Sequence, residues 1–216
     1  MSGIITPTIL AENAEQYKEQ VERVSGFAER VHIDITDGEF APTLTVGVPE
    51  LWAPEGWVVD IHAMVNNLEE YVPKLIALRP HLIIVHAEAT GDVVQALRQI
   101  KQAGIMAGLA LLRSTVPRTV EAMIKEAEHI LIFSGELGKF GGSASLMQLE
   151  KIRLITAVNP NVEIGWDGGI MVDNAYSLVH GGVHVLNVGG AIQRASDPHA
   201  IFMQLQQEIN KTGVLG

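Results

Sequence analysis

The chain has 216 residues, 47% of them apolar and 5% aromatic, enough for one sizeable core and too few for two comfortable domains, so a single domain over 1–216 is expected. A formal net charge of -10 argues against nucleic acid or an anionic membrane as partner, since neither is drawn to an acidic surface. With no cysteine, disulfides and thiolate zinc sites are excluded, and any metal must be held by nitrogen and oxygen. The leading Met1-Ser2-Gly3-Ile4-Ile5-Thr6-Pro7 has neither a basic region nor a long apolar run, so a cytoplasmic protein is expected. Asn210-Lys211-Thr212 matches a glycosylation sequon and is read as chance.

In chain order, 4–10 is short, apolar and β-branched, and 14–24 follows with helical spacing of Tyr17, Val21 and Val24. The second strand, 30–36, carries Val31-His32-Ile33-Asp34-Ile35-Thr36 and runs into Asp37-Gly38, a turn signal. Strand alternation points His32 and Asp34 to one face and the aliphatic residues to the other. A loop and a short helix near 49–52 come next. Strand 57–64 precedes a helix at 68–78 with Asn67 available as N-cap. The nearly pure apolar run 82–87 reads as a parallel strand buried on both faces, and helix 92–103 behind it stops at Gly104. Strands at 105–111, 130–133, 162–166 and 183–188 alternate with helices at 116–126, 146–158, 172–180 and 198–210. Eight such units predict a closed (β/α)8 TIM barrel, with an open doubly wound sheet as the alternative.

Three strands end alike, in His32-Ile33-Asp34, Asp60-Ile61-His62 and Trp166-Asp167-Gly168-Gly169. In a barrel these ends converge, bringing His32, Asp34, His62 and Asp167 within reach of one divalent cation. Two imidazoles and two carboxylates suit zinc first, then manganese or ferrous iron. The competing reading makes the histidines core residues bonded to backbone and the acids helix caps; it is preferred for either histidine alone, not for the four together. Paired glycines at Gly141-Gly142, Gly168-Gly169 and Gly189-Gly190 follow late strands, where bare amides can approach a phosphate. Each pair alone could serve only a tight turn.

The ordered set of Thr6-Pro7-Thr8-Ile9-Leu10, His32 to Gly38, Asp60-Ile61-His62-Ala63-Met64-Val65, Val85-His86-Ala87-Glu88-Ala89, Asp167-Gly168-Gly169 and Gly189-Gly190-Ala191-Ile192 resembles the ribulose-phosphate 3-epimerase family of the ribulose-phosphate-binding barrels. The resemblance implies that His32, Asp34, His62 and Asp167 hold the metal and that Asp34 and Asp167 exchange the substrate proton. It also implies a small phosphorylated sugar as substrate, most simply ribulose 5-phosphate and xylulose 5-phosphate, and a homo-oligomer. Thr8, Thr36 and Met64 fall at substrate-contacting positions, with the three glycine pairs on the phosphate. Three features depart from the family. Thr36 stands where the family has a methionine, with Ile132 near another such position, and the loop 134–143 is about a residue longer than the family's lid. Arg113 replaces part of an asparagine-proline pair and is read as a surface ion pair before a phosphate ligand. These departures keep open a hexulose phosphate substrate, or a barrel that binds metal and phosphosugar without turnover. His86 is expected to be a satisfied core histidine. His81, His129, His180, His184 and His199 are expected to be solvated, and Trp52 and Trp57 to pack on the barrel.

Overall fold

A computed structural model describes residues 3–211; Met1, Ser2 and Thr212 of the sequon lie outside the described residues. Eight parallel strands close into a barrel in chain order, with β8 pairing back onto β1. They are β1 (Ile4–Ile9), β2 (Arg30–Thr36), β3 (Val58–Met64), β4 (Leu82–His86), β5 (Met106–Leu111), β6 (His129–Phe133), β7 (Glu163–Asp167) and β8 (Val185–Val188). Around them lie α1 (Ala14–Val24), α2 (Leu68–Ala77), α3 (Val93–Gln102), α4 (Glu121–Glu126), α5 (Glu150–Val158), α6 (Val172–His180), α7 (Gly190–Gln193) and α8 (Pro198–Ile209). The architecture is the TIM barrel that the strand-helix alternation predicts. Among the described residues, no helix is long and apolar enough to cross a membrane.

Helix starts follow capping chemistry. The side chains of Asn13, Asn67, Asp92 and Asp197 each accept a backbone N–H three residues on, which satisfies one otherwise unpaired donor. Three predicted helices are altered. In place of 49–52 there is one 3-10 turn, Val48–Glu50, and 116–126 opens with a 3-10 turn, Pro117–Val120. A proline in the first turn of each removes a backbone donor. Helix 146–158 likewise begins as a 3-10 turn, Leu146–Leu149.

Outward-facing aliphatic residues such as Val31, Ile33, Ile35, Ile61, Ile83 and Val85 pack against the helices as the main core. The barrel interior is divided. Leu82, Ile84, Ala110 and Leu131 form a small apolar cluster on the β4 to β6 side. Thr6, Thr8, His32, Asp34, Thr36, Asp60, His62, Asp167 and Asn187 are the buried polar residues of β1 to β3, β7 and β8.

Toward the N-terminal end of the barrel, Arg30 donates from Nε to Asp60 Oδ2 at 2.7 Å and reaches the Glu163 carboxylate at 3.2 and 3.4 Å. His129 Nδ1 lies 2.7 Å from Glu163 Oε2. His129 is therefore no solvated edge residue: it heads β6 and turns inward, fully buried. Room for its ring comes from Gly165, where an added Cβ would sit 2.4 Å from His129 Nε2. His184 also departs from expectation, since its half-buried Nδ1 accepts the Ile164 N–H at 2.8 Å. His81, His180 and His199 are exposed as expected, with the last two stacked on Tyr176 and Phe27. Trp57 packs against the main core, whereas Trp52 meets Tyr17 edge-on and stays 47% exposed.

Candidate active site

The C-terminal ends of the strands enclose a cavity of about 260 Å³. Register explains the convergence at its base: Thr8 pairs with His32, and Asp34 with His62, across neighbouring strands. Asp34 Oδ1 lies 3.2 Å from His32 Nε2 and 2.8 Å from His62 Nδ1, while Asp167 Oδ2 lies 4.0 and 3.8 Å from the same nitrogens. One ligand atom from each of the four residues falls within 4.8 Å of the others, and all four residues are buried. Neither ring nitrogen of His32 has a hydrogen bond of good geometry among the described residues, although the ring is fully buried. A buried imidazole with both nitrogens unpaired, facing two carboxylates, fits a divalent cation better than a packed core.

The charges within this group are tightly linked. Burial works to raise the Asp34 carboxyl, but the imidazoles of His32 and His62 pull it well below the usual carboxylate range. Asp167 goes the other way, raised by burial and by the charge of Asp34. Behind the group, His62 Nε2 is 2.9 Å from His86 Nε2, and His86 Nδ1 is 3.2 Å from Glu88 Oε2. Burial pushes the His86 imidazole down to about 4, so it is neutral near pH 7. With its Nδ1–H given to Glu88, His86 Nε2 accepts from His62 Nε2–H. In that tautomer the His62 Nδ1 lone pair would be the one offered to a cation. His86 is thus the buried, satisfied histidine expected, and its partner is a candidate ligand.

Thr8, Asp34, Met64 and Asp167 line the cavity, as do Gly141, Gly142, Gly168, Gly169, Gly189 and Gly190. His32 and His62, 0% exposed, lie beneath the carboxylates. Gly169 donates its N–H to the Gly141 carbonyl at 3.1 Å, so its amide serves the loop. Gly168 has φ of 102°, and an added Cβ there would lie 2.0 Å from Gly135 N. Only glycine allows the β7 end and the 134–143 loop this close.

Thr36 is not among the lining residues. Its hydroxyl donates to the Thr43 carbonyl at 2.7 Å, and its N–H to Thr45 Oγ1 at 2.9 Å, anchoring the returning loop. Ile132 packs outward in the main core, and its neighbour Phe133 lines the cavity instead. Sequence reasoning missed Phe133, Phe140, Asn187 and Arg194, which all line the wall. A polar residue breaking the apolar run Val185-Leu186-Asn187-Val188, two positions before Gly189, was the available signal for Asn187.

Among the described residues Arg113 forms no ion pair, and it does not line this cavity. It donates to the carbonyls of Ser134 and Ser143, the second at 3.0 Å, tying together the two ends of the 134–143 loop. Thr43 Oγ1 donates to Gly138 O at the loop tip, 2.9 Å away. Arg113→Ala is expected to raise backbone amide exchange across 134–143 several-fold while protection in β4 and β5 stays at the parent level. Equal exchange in both proteins would show that the brace contributes nothing.

The model of the Ribulose-phosphate 3 epimerase family matches residues 4–193. The chain is 30% identical over 215 residues to the ribulose-phosphate 3-epimerase of Mycobacterium leprae (strain TN), covering 96% of this chain and 95% of that protein. It is 31% identical over 207 residues to the chloroplastic ribulose-5-phosphate-3-epimerase of Arabidopsis thaliana, covering 90% and 73%. Among solved structures, 3-keto-L-gulonate-6-phosphate decarboxylase from Vibrio cholerae O1 biovar El Tor str. N16961 superposes with a TM-score of 0.73 at 13% identity, covering 97% and 98%. At that identity the likeness speaks for the fold alone.

Proposed function

This chain belongs to the ribulose-phosphate 3-epimerase family, and we propose that it is a metal-dependent ketose-phosphate 3-epimerase interconverting ribulose 5-phosphate and xylulose 5-phosphate. The observation that carries this reading is the buried group His32, Asp34, His62 and Asp167, with both carboxylates lining the cavity. Inverting a carbon beside a ketone requires breaking its C–H bond on one face and forming a new one on the other. In this reading Asp34 and Asp167 accept and return that proton. In one direction Asp34 takes the C3 proton and Asp167 delivers one to the opposite face; in the other the roles exchange. A free aspartate, with a pKa of about 3.9, is a weak base for such a proton. His32, Asp34, His62 and Asp167 would hold a divalent cation, zinc first, which when bound would stabilise the negative charge that proton loss leaves on the substrate.

The other lining residues serve positioning. In this reading the amides of Gly141, Gly142, Gly189 and Gly190 bind the phosphate, the Gly168 amide is given to the Asp167 carboxylate, and Phe133 and Phe140 exclude water from the reacting carbons. The family resemblance adds a cytoplasmic homo-oligomer. A hexulose 6-phosphate is the second reading, favoured by the retreat of Thr36 and Ile132 from the wall. A panel of ketose 5- and 6-phosphates with metal-loaded protein decides between them. Xylulose 5-phosphate forming fastest from ribulose 5-phosphate supports the proposal, and faster turnover of a hexulose phosphate replaces it with the second reading.

The relay behind His62 has its own expected result. Glu88→Gln weakens acceptance of the His86 proton and with it the tautomer of His62. Zinc affinity, measured by competition with a chelating dye, should fall about 10- to 100-fold. An unchanged affinity would remove Glu88 from the account.

A further inference from the structure

Asn187 stands inside the barrel on β8, in register with Asp167 on β7 and Thr6 on β1. Asn187 is among the residues lining the cavity, is 2% exposed, and neither its Oδ1 nor its Nδ2 meets a hydrogen-bond partner among the described residues. Thr8 Oγ1, buried on the adjacent strand and lining the same cavity, is also without a partner. Burying an unpaired amide is costly, and an apolar residue of similar size would avoid that cost. A polar group kept at such a position, facing a cavity, is suited to a ligand that completes its hydrogen bonds.

Placement narrows what that ligand group is. Asn187 pairs with Asp167 across β7 and β8 and stands two residues short of Gly189, which begins the last glycine pair. Its amide thus stands between the carboxylates that handle the reacting carbon and the glycines that face the phosphate. In a pentulose 5-phosphate, C4 and its hydroxyl span that interval. We infer that Asn187 is a specificity-determining residue that hydrogen-bonds the hydroxyl on the carbon next to the reacting one, with Oδ1 accepting from it or Nδ2 donating to it. The inference rests on the epimerase reading above and adds the residue that selects among ketose phosphates. The Thr8 hydroxyl, one strand over, assists.

The test compares ribulose 5-phosphate with its 4-deoxy counterpart, using the metal-loaded parent and Asn187→Leu, which keeps the size and removes the hydrogen bonds. For the variant, kcat/KM on ribulose 5-phosphate should fall about 10- to 100-fold while the value on the 4-deoxy sugar changes less than about three-fold. Binding of inorganic phosphate should be the same in both proteins, and the ligand-free variant should melt no lower than the parent. Asn187→Ser, shorter but still polar, should fall between them. Losses of equal size on the two sugars, or none on either, overturn the assignment. The parent tests the idea without any variant, since equal kcat/KM on the two sugars also overturns it. A parent that converts neither sugar overturns the epimerase reading itself and the assignment with it.

Discussion

Asp167→Asn is expected to lower kcat/KM for ribulose 5-phosphate by roughly 10³- to 10⁴-fold, the upper part of the range for loss of a positioned acid or base. Asparagine keeps the shape of the side chain and can neither accept nor return a proton. The same change removes one of the four grouped ligand atoms, so metal content should fall with turnover. Folding should not suffer. Burial and the neighbouring Asp34 charge raise the Asp167 carboxyl, so its ionisation opposes the folded state once the pH passes the ordinary aspartate value. The metal-free variant should therefore melt at or above the parent temperature near pH 7. Function bought with strain of this kind is common where like charges share a buried site. Unchanged turnover in Asp167→Asn would remove that residue from proton transfer.

The second large effect lies at the other end of the barrel and concerns stability. Arg30→Met should cost about 3–5 kcal/mol, because it leaves Asp60, 1% exposed, as a buried charge without its cation. For a chain of this size that corresponds to a fall in Tm of roughly 6–20 °C. Glu163 in the same network adds a pH dependence. Burial works to raise its carboxyl, but His129 and Arg30 outweigh burial and hold it at about 2, below its ordinary 4.5. A depressed carboxyl contributes stability that is complete above the unfolded value and is lost as pH falls through the folded one. The urea midpoint of the parent should accordingly drop between pH 4.5 and 2, and Glu163→Gln should start lower and drop less across that window. Parallel curves for the two proteins would show that the network carries no such linkage.

The barrel was legible because its signal is repeated. Each strand alternates or runs apolar, each but β2, whose loop holds a single 3-10 turn, is followed by a helix, and that repetition leaves little else for the chain to form. His32, Asp34, His62 and Asp167 were legible for a related reason: strand parity fixes which face a residue takes, and closure brings the ends together. What escaped depends on tertiary detail. His129 looked like an edge residue because its inward turn is permitted by Gly165 on the next strand, a contact between residues 36 positions apart. Thr36 shares the parity of Asp34, yet loop residues Thr43 and Thr45 capture its hydroxyl and N–H. Arg113 carries a charge, which suggested an ion pair, but the two carbonyls it holds belong to a loop whose path is not written in local pattern. Proline placement was visible at Pro49 and Pro117, although the length of the 3-10 turn that each would start was not.

Isotope exchange reads proton abstraction at C3 directly, without a coupling enzyme. Metal-loaded protein is mixed with ribulose 5-phosphate in deuterated water, and the C3 proton is followed by NMR. That signal should be lost at a rate set by enzyme concentration, with deuterium appearing at C3 of both the ribulose and xylulose phosphates. A C3 signal that persists with metal-loaded protein, while a control epimerase removes it under the same conditions, would contradict the account.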